Sequence, residues 1–339
     1  MSRVEQFLLG NGLFSHLGNG RTAIHASIQI GLVNNMPDAL LRTTELQFAR
    51  LLKDAAGNLD VRLRLFSLGS IARGEQVRSR MAGFYDDAAF LQAANMDALI
   101  VTGAESAGTD LRDEPYWGEL AHLIDWAEIG TLSTLFSDQA AHAAVLHLDG
   151  IVCRPLPAKL SGLYGSARME DDPLFFNTAP LAPVPHSRRY DVAESDLLAK
   201  GYRVLARLDA KDGGGKQVDI FTREPAGHSG FVFLQGHPEY DPGTLGRAYL
   251  RDMGRFLQGE TDERPTVPEH YFDRATENKL AEIADESDLS LYQAVVLGAL
   301  PRQAWRTNTV RLMGNWLMLV AAAKARRVSS KAVPTRRRA

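Results

Sequence analysis

The sequence predicts an α/β fold with a mostly parallel sheet flanked by helices. Three observations carry this. Short apolar or β-branched runs recur along the chain, at Ser27–Val33, Ala98–Val101 and Leu132–Phe136, and such runs suit strands buried on both faces. Segments with helical spacing alternate with them, as at Thr44–Leu52, where Leu46, Phe48, Leu51 and Leu52 are apolar. The runs end in loop residues, Asn34-Asn35-Met36-Pro37 after the first and Thr102-Gly103-Ala104 after the second, at the carboxyl edge where open α/β sheets build their sites.

In chain order, residues 1–25 carry Gly10, Gly12, Gly18 and Gly20 with little periodicity and read as an irregular arm. An α/β domain then spans 26–260. Val61–Phe66 alternates as a strand does, Tyr116–Ile129 has helical spacing, and Leu132–Phe136 runs straight into Ala-rich helical sequence at Gln139–Leu146. Leu181–Ser187, Asp219–Thr222 and Phe231–Gln235 read as further strands, and Gly243–Leu257 as a helix. Gly213-Gly214-Gly215 reads as a hairpin turn. Beyond the polar, proline-bearing linker Glu260–Pro268, Asn278–Ala299 and Trp305–Ala325 read as helices of an extension over 261–325 that packs on the domain. Residues 326–339 read as a basic disordered tail.

Composition narrows the function. Lys plus Arg number 38 against 41 Asp plus Glu, a formal net charge of −3, which argues against a nucleic-acid-coating protein. The single cysteine, Cys153, excludes an intramolecular disulfide and Cys-rich zinc sites and fits a reducing compartment. No apolar run has signal-peptide character or spans a bilayer, so the chain reads as cytoplasmic with no membrane or nucleic-acid partner. No P-loop, Gly-x-Gly-x-x-Gly or His-Glu-x-x-His is present, and no metal or bound cofactor is expected.

Two constellations can carry chemistry. At Ser137-Asp138-Gln139 a strand meets a small-residue helix. Such an elbow exposes one side chain above the sheet and aims the following N–H groups at it. Ser137 and Asp138 are the candidates, and Asp138 could equally serve as a plain helix N-cap. The second is Gln235-Gly236-His237-Pro238-Glu239, directly after an apolar strand. A His oriented by a carboxylate is the usual base partner of an elbow group, although a structural His fits the same pattern. Pro185-His186-Ser187-Arg188-Arg189 supplies guanidinium forks suited to carboxylates, or else a solvated basic loop.

In order along the chain, Asn35-Met36-Pro37 with Thr44-Glu45, Leu99–Ala104, Tyr116-Trp117, Ser133–Phe136, Lys159-Leu160-Ser161-Gly162 with Tyr164, His186-Ser187-Arg188, Gly236–Asp241, Arg251-Asp252, Trp305-Arg306 and Asn315-Trp316 resemble the homoserine O-succinyltransferase family. The resemblance covers about residues 26–320 and implies a class I glutamine-amidotransferase-like (flavodoxin-like) fold. It implies acyl transfer from an acyl-CoA co-substrate, succinyl-CoA or acetyl-CoA, to the hydroxyl of homoserine in methionine biosynthesis, by a homodimer. It makes His237 the base and Glu239 its orienter. Arg251 would hold the amino-acid substrate, with His186, Arg188 and Ser161 around it. Thr102, Gly103 and Ala104 would stand beside the acyl group, and Ala107 would leave room for succinyl.

The departures from the family pattern are chemical. Asp138 stands where the family has its nucleophilic cysteine, and Cys153 lies beyond the following helix. A family lysine after Met-Pro is missing, with Arg42 the nearest substitute, and Gly165 stands where the family has a Glu. These changes imply direct transfer with no acyl-enzyme, or a silent or repurposed relative that binds an amino-acid-like ligand or a partner enzyme.

Overall fold

The computed structural model describes residues 27–104, 110–208, 217–299 and 303–332. The N-terminal arm, the Gly213-Gly214-Gly215 turn, Ala107 and residues 333–339 lie outside the described residues.

Ten strands form one sheet in the order β3-β2-β1-β4-β5-β10-β9-β8-β6-β7. They are β1 (Ile28–Val33), β2 (Val61–Ser67), β3 (Tyr85–Asp87), β4 (Ala98–Thr102), β5 (Ser133–Ser137), β6 (Arg154–Arg168), β7 (Leu181–Asp191), β8 (Arg203–Leu208), β9 (Val218–Arg223) and β10 (Gly230–Leu234). From β3 to β10 every pairing is parallel, and from β10 to β7 every pairing is antiparallel. The parallel half is the one the apolar runs predict: β4 and β5 are buried at every position. β3, β6 and β8 escape the sequence reading. β6 carries Pro155, Pro157, Gly162 and Gly165 and alternates poorly, because it pairs with β7 on one side and β8 on the other over different stretches.

The helices are α1 (Asp38–Ala55), α2 (Glu75–Met81), α3 (Leu91–Ala94), α4 (Trp117–Gly130), α5 (Gln139–Asp149), α6 (Glu194–Ala199), α7 (Thr244–Leu257), α8 (Arg274–Glu282), α9 (Leu289–Gly298) and α10 (Arg306–Ala332). α4 and α5 cover one face of the sheet around Val101, Phe136 and Phe233. α1 and α10 cover the other around Ile30, Leu135 and Val232. The C-terminal extension therefore completes the main core. The helix expected over 278–299 is two, because Asp288 caps α9 through the Ser290 N–H at 2.9 Å and breaks the run. The segment from residue 326, expected to be disordered, continues α10 as far as Ala332. No helix among the described residues is long and apolar enough to cross a membrane.

Trp316 anchors α10 against the sheet: it is 1% exposed and its indole N–H donates to Ser133 Oγ at 3.0 Å. Trp316→Ala is expected to cost about 3–5 kcal/mol, from lost burial and the cavity left behind. Urea unfolding would show it as a lower midpoint with unchanged slope.

Candidate active site

The carboxyl ends of β4, β5 and β10 meet at the middle of the sheet, with Thr102 and Leu234 on either side of Ser137. Ser137 is buried within β5, so the elbow residue is Asp138. Its backbone has φ 50° and ψ −116°, a conformation that costs a non-glycine residue about 1–3 kcal/mol. The turn is held by the Asp138 N–H donating to Leu234 O at 2.7 Å and by the Ala141 N–H donating to Asp138 O at 2.9 Å. Its side chain makes no capping hydrogen bond, which sets aside the plain N-cap reading. Gly103 lets β4 approach this turn, since a Cβ there would lie 2.7 Å from Gln139 Cβ.

His237 stands across the elbow. Its Nδ1 is 2.9 Å from Glu239 Oε1, so the carboxylate accepts the Nδ1 proton and turns Nε2 toward Asp138. Nε2 is buried without a hydrogen-bond partner, 3.8 Å from Asp138 Oδ2. Burial disfavours the imidazolium, but Glu239 and then Asp138 outweigh it and hold the His237 pKa above its ordinary value. The ammonium of Lys159 works the other way. The His237 N–H donates to Pro185 O at 2.8 Å, which fastens the loop to β7.

Tyr240 lies flat on the His237 ring, centroids 4.2 Å apart and planes 9° from parallel, and Trp305 donates to the Tyr240 carbonyl at 3.0 Å. Sequence reasoning missed this stacking partner, because a Tyr in a loop carries no periodic signal. The π face stabilises a positive imidazole. Tyr240→Leu is expected to lower the His237 pKa and the catalytic rate, with Tyr240→Phe close to wild type; NMR titration of the His237 ring in the three proteins checks it.

The other predicted residues fall into two groups. Arg251 on α7 is near the site: its guanidinium donates to Asp252 Oδ1 at 3.0 and 3.1 Å and its charge reaches Tyr240. Asp252 in turn holds Lys159 of β6 at 2.5 Å. Gly103 and Ala104 lead from β4 past the elbow. Thr102 Oγ1 is buried, accepting from the Asn35 N–H at 2.9 Å, and serves the backbone. Ser161 is buried on β6, and its carbonyl accepts from the Glu269 N–H.

His186 and Arg188, expected to line the pocket, do not reach it. They are 0% and 3% exposed and lie beneath the His237 loop. His186 Nε2 is 3.3 Å from the buried Asp219 carboxylate, which also accepts from Ser166. Arg188 donates to Asp191 at 2.9 Å, to Gln217 at 3.0 Å and to Gln235 at 3.3 Å. A Cβ on Gly236 would meet Val184 at 2.5 Å and His186 Nε2 at 2.9 Å, so the loop rests directly on this network. These residues pack behind the His237 loop, where Asp191, Gln217 and Gln235 satisfy Arg188, whereas His186 Nε2 and Asp219 Oδ1 are buried without a hydrogen-bond partner.

Cys153 does not replace an elbow thiol. It lies beyond α5 beside His142, whose other ring nitrogen is 2.8 Å from Gln235 Oε1. Burial opposes the charge on His142, yet Cys153 and Asp138 push its pKa up to about 9. Arg42, the nearest substitute for the missing lysine, sits beside Glu45 in a separate cavity with Leu41, Val77 and Phe84.

A family model described as homoserine O-succinyltransferase matches residues 19–326. A homoserine O-succinyltransferase from Rhodopseudomonas palustris is 46% identical over 310 residues, covering 89% of this chain and 91% of its own. One from Methylorubrum extorquens is 44% identical over 307 residues, covering 88% of each chain. Among solved structures, a glutamine amidotransferase from Thermotoga maritima aligns with a TM-score of 0.48 at 10% identity, over 87% of this chain and 99% of that one.

Proposed function

We propose that this chain, which belongs to the homoserine O-succinyltransferase family, moves a succinyl group from succinyl-CoA directly to the hydroxyl of homoserine, with His237 as general base. The observation that carries the reading is the buried, unpartnered Nε2 of His237, aimed at the elbow by Glu239.

In this reaction Nε2 takes the hydroxyl proton as the oxygen attacks the thioester carbonyl. The carbonyl becomes a tetrahedral oxyanion. The Gln139 and Ala140 N–H groups open α5 directly after the elbow and would stabilise that charge. The C–S bond then breaks, and the imidazolium returns its proton to the CoA sulfur. Glu239 and Asp138 flank the imidazole while it is charged, so both stabilise the step.

Direct transfer is the course that the chemistry of Asp138 favours. A thiolate is a strong nucleophile and a good acyl leaving group. A carboxylate attacking a thioester would give a mixed anhydride, far more labile than a thioester. As an anion beside His237, Asp138 serves better as an electrostatic partner than as a nucleophile.

Intact-protein mass spectrometry with succinyl-CoA and acetyl-CoA, with and without homoserine, tests this while CoA release is followed in the same tubes. CoA release that needs homoserine and leaves the protein mass unchanged is the expected result. A hydroxylamine-sensitive acyl mass would make Asp138 a nucleophile. Absence of both signals would leave a binding protein.

A further inference from the structure

A cavity of about 260 Å³ opens between α1, α2 and the start of β3. Leu41, Val77 and Met81 make its wall apolar, and Phe84, 52% exposed, adds an aromatic ring. Two guanidinium groups line it, Arg42 from α1 and Arg80 from α2. Among the described residues neither pairs with a carboxylate, although the charge of both reaches Glu45. Glu45 lines the cavity too and is buried. Its Oε2 accepts from the Tyr85 hydroxyl at 3.2 Å, and that hydroxyl accepts from Asn34 Nδ2 at 3.1 Å. Burial nevertheless holds the Glu45 carboxyl above its usual pKa range, against the pull of Tyr85 and both arginines. That is the mark of a carboxyl short of hydrogen-bond donors.

Asn34 is the first residue beyond β1, so these contacts tie the cavity to the edge of the sheet where the elbow stands. The elbow follows β5, two strands from β1 and four from β3. At about 4.8 Å per strand this is a span of roughly 10–19 Å, which the extended diphosphate and pantetheine of a CoA thioester bridge. Other cavities suit a polyanion less. Asp87, Glu119 and Asp125 line the one between α3 and α4. In the one beside α7, Arg189 and Arg255 already face Glu263 and Glu260 at 2.5 and 3.3 Å.

We infer that this cavity holds the adenosine end of the acyl-CoA, with Arg42 and Arg80 on its phosphates, Phe84 against the adenine ring and Glu45 accepting from the exocyclic amino group of the base. This rests on the acyl-transfer reading above and gives its donor a place. Guanidinium forks take phosphate oxygens in pairs. An aromatic side chain stacks on the face of a base. The amino group of adenine is a donor at the base edge, which is what Glu45 lacks. An ionised carboxylate offers about four lone-pair sites, so Glu45 can keep Tyr85 and accept from adenine together. Arg42 thus serves the nucleotide of the donor, and not its reacting carbonyl.

Isothermal titration into the full-length protein tests this, with CoA and with its adenosine bisphosphate half alone as titrants. Arg42→Ala and Arg80→Ala are each expected to weaken both ligands about tenfold or more, the loss of a charged hydrogen bond, and the double variant should lose more than either. Phe84→Ala should cost about fivefold or more, the loss of a stacked base. Arg80 and Phe84 are exposed, so these variants should melt at the wild-type temperature. Arg154→Ala removes an exposed cation at the start of β6 and should leave both affinities within about twofold. On the wild-type protein, the hypoxanthine analogue of the bisphosphate has a carbonyl oxygen in place of the amino group and should bind about tenfold more weakly. Unchanged affinity in the double arginine variant, an equal loss in Arg154→Ala, equal affinity for the two bases, or no CoA binding by wild type would each overturn the inference. Transfer assays on the same samples separate the two readings. Nucleotide binding that falls in the variants, without wild-type transfer, would keep this site and remove the acyltransferase. Transfer whose KM for succinyl-CoA is the same in wild type and the double variant would do the reverse.

Discussion

His237→Ala is expected to slow acyl transfer by about 10²–10⁴-fold, the usual contribution of a positioned base, while CoA and homoserine still bind. The expectation rests on two distances. The Nδ1–Glu239 contact of 2.9 Å fixes the tautomer and the ring plane. The 3.8 Å between Nε2 and Asp138 Oδ2 leaves the basic nitrogen free for a substrate proton. Glu239→Gln keeps the shape but replaces the carboxylate with an amide, which supports an imidazolium less well. It should lose less than His237→Ala, and its His237 should titrate at lower pH. Steady-state kinetics across pH, with CoA release as the readout, measures both. Equal rates for wild type and His237→Ala would remove the base from this site.

The centre of this site is legible in the sequence because parallel strands advertise themselves. Ala98–Thr102 and Ser133–Ser137 are buried along their whole length, and each runs into a turn at the carboxyl edge. Strand pattern alone therefore puts Asp138, His237 and Glu239 at one end of the sheet. Local pattern does not say which of Ser137 and Asp138 occupies the turn. The answer depends on strand register, with Ser137 paired to Thr102 and Leu234 and therefore inside the ladder. His186 and Arg188 are misplaced by sequence for a related reason. The resemblance puts them beside the substrate, and the residues alone read as guanidinium forks or a solvated basic loop. β7 instead runs under the His237 loop, where His186 faces Asp219 of β9 and Arg188 donates to Gln235.

Asp138→Cys is expected to change the mechanism. The elbow conformation is already imposed by the Leu234 and Ala141 hydrogen bonds, so a Cys there inherits the half-buried position beside His237. Its thiol should lose a proton to Nε2, and succinyl-CoA alone should then leave a covalent succinyl mass on the protein that homoserine discharges. The pH profile should move as well. In the wild type, Asp138 helps to hold the His237 pKa above its ordinary value, so neutral, basic His237 accumulates only as pH rises past that raised value. Asp138→Asn removes this anion without adding a nucleophile. Its rate should therefore begin to rise at lower pH than the wild type's, with no acyl mass at any pH. An Asp138→Asn profile displaced to higher pH would mean that Asp138 itself handles the proton. A lack of acylation in Asp138→Cys would mean that the donor carbonyl does not approach the elbow side chain. The two variants thus separate the charge of Asp138 from its place.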